Sequence, residues 1–420
     1  MPSALPPPLM TSEPGSFARE TIEKRKPRII ADVLSDATYP ANVRRQLEAF
    51  AHEIASGPLE GPPVGIPLYE EWLSEFQQWQ GRTWLQIPWY FAESYFYVRL
   101  LAIIGYFEGR AGDPFQRRKD AHLQQSKPII PSLAQAERLS ATAEPLAAFT
   151  LLSRRSLWGN RLDLSNEAIS ERHRDDPSHL EDTALAVDDG AVAYQAIISA
   201  PTRPVTFICD NCGPELIADL HLADWLLRGS PRQVIFELKA QPFFVSDAMI
   251  KDVQATVEYL CACGEAEVER LGQRLRESIT AGRLVLRDHP FWSGPHHYTR
   301  LPPDLTERLG ESVLVIAKGD VNYRRFLEDR HWPFQTLISH IVGYFPANLL
   351  LLRTFKGELA AGLDKVTIER LAATGDDWLI NGRHGVAQFV AAKNRRSGGW
   401  EKDFALLPKL SRPLLTDSGY

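Results

Sequence analysis

The stretch PVTFICDNCGPELIADLHLADWLL, residues 204–227, decides the fold. Its first half, VTFIC, is short, apolar and β-branched, and it predicts a strand. Gly213 and Pro214 break that pattern. Pro suits the first position of a helix, so PELIADLHLADWLL predicts a helix after a tight turn. The same texture returns downstream. QVIFELK (233–239), LVLRD (284–288) and SVLVIAKGD (312–320) predict strands, and the segment from Ile250 to Ile279 predicts helix. Strands alternating with helices imply an α/β fold: a three-layer α/β/α sandwich with a mainly parallel sheet.

Upstream the texture is helical. In NVRRQLEAFAHEIA, Val43, Leu47, Phe50 and Ile54 recur at helical spacing, and YFAESYFYVRLLAIIGYF is long, aromatic and poor in breakers. The expected organisation is a mobile Pro-rich tail over 1–26, a mainly helical region over 27–200, the α/β/α domain over 201–400 and a C-terminal tail over 401–420. The charged, turn-rich RHRDDPSHLEDT (172–183) reads as the connector.

The chain has 420 residues, with 44% apolar and 24% charged residues and a formal charge of −6. That composition suits a soluble globular protein. No basic excess points to nucleic acid and no basic amphipathic stretch to a membrane surface. The apolar runs 100–107 and 337–352 are too short, or too interrupted by His340, Pro346 and Asn348, to span a bilayer. Four cysteines are too sparse for a secreted disulfide scaffold, so the expected home is the reducing cytoplasm.

In a doubly wound sheet, ligands sit beyond the carboxyl ends of the strands. Asp210 and Asp320 fall at such ends, and Asp247 follows the apolar run FFVS. Three acids at one edge suit a divalent cation, which takes hard oxygen ligands. Asn211 adds an amide oxygen, and the following helix N-terminus would favour an anion such as phosphate. An Asp/Asn turn without any ligand fits the same residues. The flanking thiols read differently. Cys209-x-x-Cys212 and Cys261-x-Cys263 do not have the repeated spacing of a structural zinc site, and Cys209 lies too far into the strand for a redox motif. Both thiols are expected to pack in the core. His289, His296 and His297 are expected to bond within their loop rather than to hold a metal.

A basic set supports phosphate. Lys318, Asn322, Arg324 and Arg325 follow one strand, and R-T-F-K brings Arg353 and Lys356 to what reads as a helix start. Arginine binds phosphate oxygens through its fork, and lysine acts as a point charge.

Taken in order, DNCG (210–213), FFVSD (243–247), KGDVNYR (318–324) and RTFK (353–356) resemble the metal-dependent damage-control phosphatases, formerly the domain-of-unknown-function 89 family. The resemblance is to the sugar-phosphate branch, also described as an acidic-residue protein carboxyl methyltransferase. HPFWSGPH (289–296) and PWYFAESYFYVRL (88–100) are similar to further family segments. The resemblance implies metal ligands Asp210, Asn211 and Asp247. It also implies substrate contacts at Asp210, Asn211, the run Asp320, Val321, Asn322, Tyr323 and Arg324, and Lys356. Glu93 and Arg353 are accessory candidates. Cys212 stands where a small residue such as Ser or Ala is expected. The family uses Mn²⁺, Co²⁺, Ni²⁺ or Mg²⁺.

The expected activity is metal-dependent hydrolysis of small sugar phosphates of the fructose 1-phosphate or fructose 6-phosphate type. Asp210 and Asp320 are the expected catalytic carboxylates, with Asp320 orienting a sugar hydroxyl or carrying a proton. Arg324 and Lys356 are expected to clamp the phosphate. Two other classes fit less well: an S-adenosylmethionine-dependent carboxyl methyltransferase, for which no Gly-rich loop follows the first strand, and a phospho-sugar or protein-binding module without turnover.

Overall fold

The computed structural model describes residues 5–159 and 184–393. The connector 172–183 and the C-terminal tail lie outside that range. Seven strands form one sheet: β1 (Leu185–Asp188), β2 (Val205–Ile208), β3 (Val234–Lys239), β4 (Leu284–His289), β5 (Leu314–Lys318), β6 (Leu349–Thr354) and β7 (Gly385–Val390). Their order is β1-β7-β6-β5-β2-β3-β4. Neighbours from β6 to β4 pair in parallel, and β7 runs antiparallel to β6.

Every residue of β2, β3 and β5 is buried, as expected where helices cover both faces of a parallel sheet. Alternate side chains divide between two cores. Val205, Phe207, Leu314, Ile316, Leu350 and Leu352 join one, and Ile208, Val315, Ala317, Leu349 and Leu351 join the other. The long helices Pro214–Leu227, Ile250–Cys261 and Ala266–Thr280 cover the first face. Shorter ones, including Pro303–Gly310 and Gly319–Phe326, cover the second. The fold is therefore α/β, with a three-layer arrangement.

A third, aromatic core belongs to the N-terminal helices. Its centre is the helix Trp89–Ile104, almost wholly buried. The helix Ala41–Ser56 contributes Val43, Leu47, Phe50 and Ile54, the spacing seen in the sequence.

Three differences from the sequence expectations matter. First, residues 8–26 are packed rather than a mobile tail. Leu9, Thr11, Ala18 and Ile22 are buried, and Leu9 hydrogen-bonds through its backbone to Asp329 and Trp89, both at 2.8 Å. The prolines suppress helix here, but the apolar residues between them still find a core. Second, R-T-F-K does not open a helix. Arg353 and Thr354 end β6, and Lys356 lies in the loop beyond. Third, β1 lies inside the region read as helical. Among the described residues no helix is long and apolar enough to cross a membrane.

Candidate functional site

Strands β2 and β5 are neighbours, but their chains leave in opposite directions: β2 leads to β3 and β5 to β6. Such a switch point leaves a crevice beyond the strand ends. Asp210 enters it from the end of β2 and Gly319-Asp320 from the end of β5. A cavity of about 320 Å³ opens there, lined by Asp210, Asn211, Glu215, Asp247, Asp320, Val321 and Lys356 among others.

Asp247 arrives by a longer route. Beyond β3, Phe243, Phe244 and Val245 are buried in the aromatic core of the N-terminal helices. This anchors the loop so that Asp247 turns back and pairs with Asn211 in an isolated antiparallel bridge. The Ala248 N–H donates to the Asp210 carbonyl at 2.7 Å, and the Cys212 N–H to the Ser246 carbonyl at 2.7 Å. Two loops from different strands are thereby stitched into one frame.

Within that frame, the Asn211 side-chain N–H groups donate to Asp210 Oδ2 at 2.8 Å and Glu215 Oε2 at 3.1 Å. The Ser246 hydroxyl donates to Asn211 Oδ1 at 2.6 Å. Asp247 Oδ2 is buried and 3.2 Å from Lys239 Nζ, yet it has no well-aligned hydrogen bond. Burial, then the nearby Glu215 and Asp247 carboxylates, push the Asp210 carboxyl well above its ordinary range, against the pull of Lys239 and Lys318. Burial likewise raises Asp247. Among the described residues no three acidic, His or Cys side chains converge on one point, but Asp247 keeps an orphaned oxygen and Asp210 is held close enough to feel its charge. Asp210 and Asp247 offer hard anionic oxygens, and Asn211 Oδ1 keeps a second lone pair beside the Ser246 bond.

Asp320 does not join that set. It accepts from Arg324 Nε at 2.8 Å and Arg353 Nε at 2.7 Å. Burial alone would raise its carboxyl, but the two guanidiniums outweigh burial and hold it at about 2. It is ionised at neutral pH and unsuited to carrying a proton. Its place is to hold two arginines at the cavity wall.

Asp320 and Val321 line the cavity, but other expected contacts fall behind its wall. Arg324 is fully buried, paired with Asp320 and Asp329, and its guanidinium lies 4.0 Å from the Trp89 ring centroid. It does not line the cavity. Asn322 accepts from the Tyr298 hydroxyl at 2.8 Å and donates to the Lys318 carbonyl at 2.8 Å, and Tyr323 bonds Gln388 at 3.1 Å. Arg353 stacks over Tyr323 at 4.3 Å. Glu93 is sealed against Lys26 at 2.5 Å. These side chains build the wall from behind.

Cys209 and Cys212 are buried in the core on the first sheet face, and all four cysteines are free thiols. His289 caps the turn Pro290–Ser293 by accepting from the Phe291 N–H. His296 and His297 line a different cavity, beside Tyr90 and Arg330.

Sequence reading missed Phe17, Arg25, Trp89, His122, Glu215 and Ser246, all of which line the cavity. Glu215 had a signal, since it sits in the first helical turn after D-N-C-G. Phe17 and Arg25 lay in the segment taken for a tail. His122 was legible only through the fold: a Cβ on Gly213 would come within 2.7 Å of its Nδ1.

The family model of the damage-control phosphatase ARMT1-like domain matches residues 21–371. Damage-control phosphatase ARMT1 of Bos taurus is 31% identical over 432 residues, covering 91% of this chain and 98% of that protein. The Macaca fascicularis protein of the same name is 29% identical over 442 residues, covering 92% and 99%. The one from Danio rerio is 30% identical over 333 residues, covering 73% and 74%. A solved DUF89 family protein from Pyrococcus horikoshii aligns over 90% of this chain and 98% of its own, with a TM-score of 0.48 and 15% identity. The chain belongs to the damage-control phosphatase ARMT1-like family.

Proposed function

We propose that the chain is a divalent-metal-dependent phosphomonoesterase acting on small sugar phosphates of the fructose 1-phosphate or fructose 6-phosphate type. The observation that carries this is the juxtaposition of Asp210, Asn211 and Asp247 in a cavity that also bears Lys356. Acidic oxygens for a cation and an exposed ammonium for a phosphate share one small space. Asp210, Asn211 and Asp247 would hold Mn²⁺, Co²⁺, Ni²⁺ or Mg²⁺. When bound, the cation would offset charge on the phosphoryl oxygens. Lys356 approaches from the β6 side and supplies a point charge to the same group. Glu215, fixed by Asn211, and Lys239, beside Asp247, keep the two aspartates in place.

The test is phosphate release from a panel of sugar phosphates, with and without divalent cations, beside methyl transfer from labelled S-adenosylmethionine to acidic protein. The expected result is release that EDTA abolishes and one of the four cations restores. Undiminished hydrolysis in excess EDTA, or methyl transfer with no phosphate release, would overturn the proposal.

A further inference from the structure

The cavity does not end at its far wall. A second chamber of about 700 Å³ adjoins it, and the two share Arg25, His122, Phe244 and Ser246. Their charge is opposite. The first is lined by four carboxylates, Asp210, Glu215, Asp247 and Asp320. The second adds Arg28, Arg118 and Lys119 to Arg25, against Asp32.

Two of these cations are already paired. Arg118 lies 2.9 Å from Asp32, and Lys119 lies 2.9 Å from Asp252 and 3.1 Å from Asp113. Arg28 is exposed and makes no hydrogen bond or ion pair with a described residue, whereas the Arg25 guanidinium faces inward, towards the Tyr97 hydroxyl and the Glu93 and Asp247 carboxylates. Three residues apart where the Thr21–Arg25 turn enters the helix Lys26–Leu34, the two arginines occupy neighbouring positions on one face.

The partition is built at a conformational cost. Phe244 and Val245 have φ of +46° and +70° without being glycine. Such backbone is strained for a residue with a Cβ, and it persists where the surroundings over-determine it. Arg25 ends a π-helical turn, a rare form concentrated at functional sites. The Phe244 ring packs at 5.2 Å from Tyr97 and 6.4 Å from Trp89, so this wall is fixed.

We infer that the second chamber is a subsite for a second anionic group, and that preferred substrates are phosphate esters carrying another phosphate or a carboxylate at the end remote from the scissile bond. The inference rests on the phosphatase reading for which group is cleaved. The scissile phosphate occupies the first chamber, the sugar passes Phe244, and Arg25 and Arg28 hold the distal anion. A monophosphate leaves the Arg28 guanidinium in water.

The experiment compares fructose 1,6-bisphosphate, 6-phosphogluconate and fructose 6-phosphate on the metal-loaded full chain, by kcat/KM and by calorimetric binding. For the wild type, at least one of the two probes with a second anionic group is expected to exceed fructose 6-phosphate by about tenfold, and the preference should shrink as salt rises. Which probe wins tells a phosphate subsite from a carboxylate one. Arg28→Ala should reduce the preference about tenfold and Arg28→Glu further, whereas Arg28→Lys should retain part of it. Arg28 is exposed, so these variants fold. Equal binding of all three probes, or a preference unchanged in Arg28→Glu, would overturn the subsite. Binding preference lost in Arg28→Glu without any phosphate release would uphold the subsite and sink the phosphatase reading instead.

Discussion

Lys356 is exposed at the cavity rim, and no described residue pairs with it. Removing it therefore disturbs no buried partner, and the change falls on whatever the cavity binds. If Lys356 meets the transferred phosphoryl group, Lys356→Ala lowers kcat/KM by on the order of 10²–10³. Thermal melting should stay within about 0.5 kcal/mol of wild type, because the site is at the surface. Unchanged phosphate-release kinetics in this variant would take Lys356 out of the site. The contrast with Arg324 shows what sequence reading reaches at this scale. Both residues stood in basic runs beside strand ends. Sequence identified the runs but not which member faces the cavity, since that depends on partners far away in the chain. Asp329 and the Trp89 ring bury Arg324, and nothing comparable covers Lys356.

At the scale of elements, the turn from β5 into the helix Gly319–Phe326 sets how closely the two strand ends approach. Gly319 has φ of +83°, and a Cβ there would lie 1.9 Å from Asp210 Oδ2. No rotamer relieves a clash built into a backbone position, so Gly319→Ala must push Asp210 or the turn itself. Expected outcomes are a loss of at least about a hundredfold in kcat, since a misplacement near 1 Å costs that much, and weaker retention of added Mn²⁺ on dialysis. Wild-type kinetics in Gly319→Ala would show that Asp210 is not held where the structure puts it. The strands that frame this turn were legible because they alternate with helices and end in breakers. Strand β6 was harder to see. LLLLRT is buried on both faces, so it has no period of two, and its apolar run merges with the residues before it. Strands β1 and β7 were missed as well. β1 has only four residues, just one of them buried, so it carries little apolar pattern, and β7, GVAQFV, is short and opens on a glycine.

At the scale of the whole molecule, the helix Ile130–Thr142 is clamped to the sheet's helical layer through one carboxylate. Glu137 receives Arg228 at 2.5 Å and Arg274 at 2.8 Å and bonds His221 at 2.9 Å. His221 belongs to the helix Pro214–Leu227, whose first turn carries Glu215, so this clamp also steadies the floor of the site. Burial favours the neutral acid, but hydrogen bonds from His221 and Arg228 outweigh it and hold Glu137 at about 2, below its ordinary 4.5. A depressed carboxylate stabilises the fold fully above its unfolded value, and the contribution is lost as pH falls through the folded one. The window for Glu137 is therefore from about 4.5 down to about 2. His221 acts in the same direction from a higher start. Burial lowers its value from 6.5, so the unfolded chain takes up a proton first and stability declines below that pH. Glu137→Gln should cost about 2 kcal/mol at pH 7, less than a sealed ion pair because both arginines are partly exposed. Urea midpoints measured from pH 8 to pH 3 should show the gap between wild type and variant steady above about 5 and narrowing below it. The decline that begins near 6.5 should persist in the variant, because His221 stays buried and has lost the carboxylate that favoured its charged form. A gap independent of pH would mean that Glu137 contributes packing rather than charge.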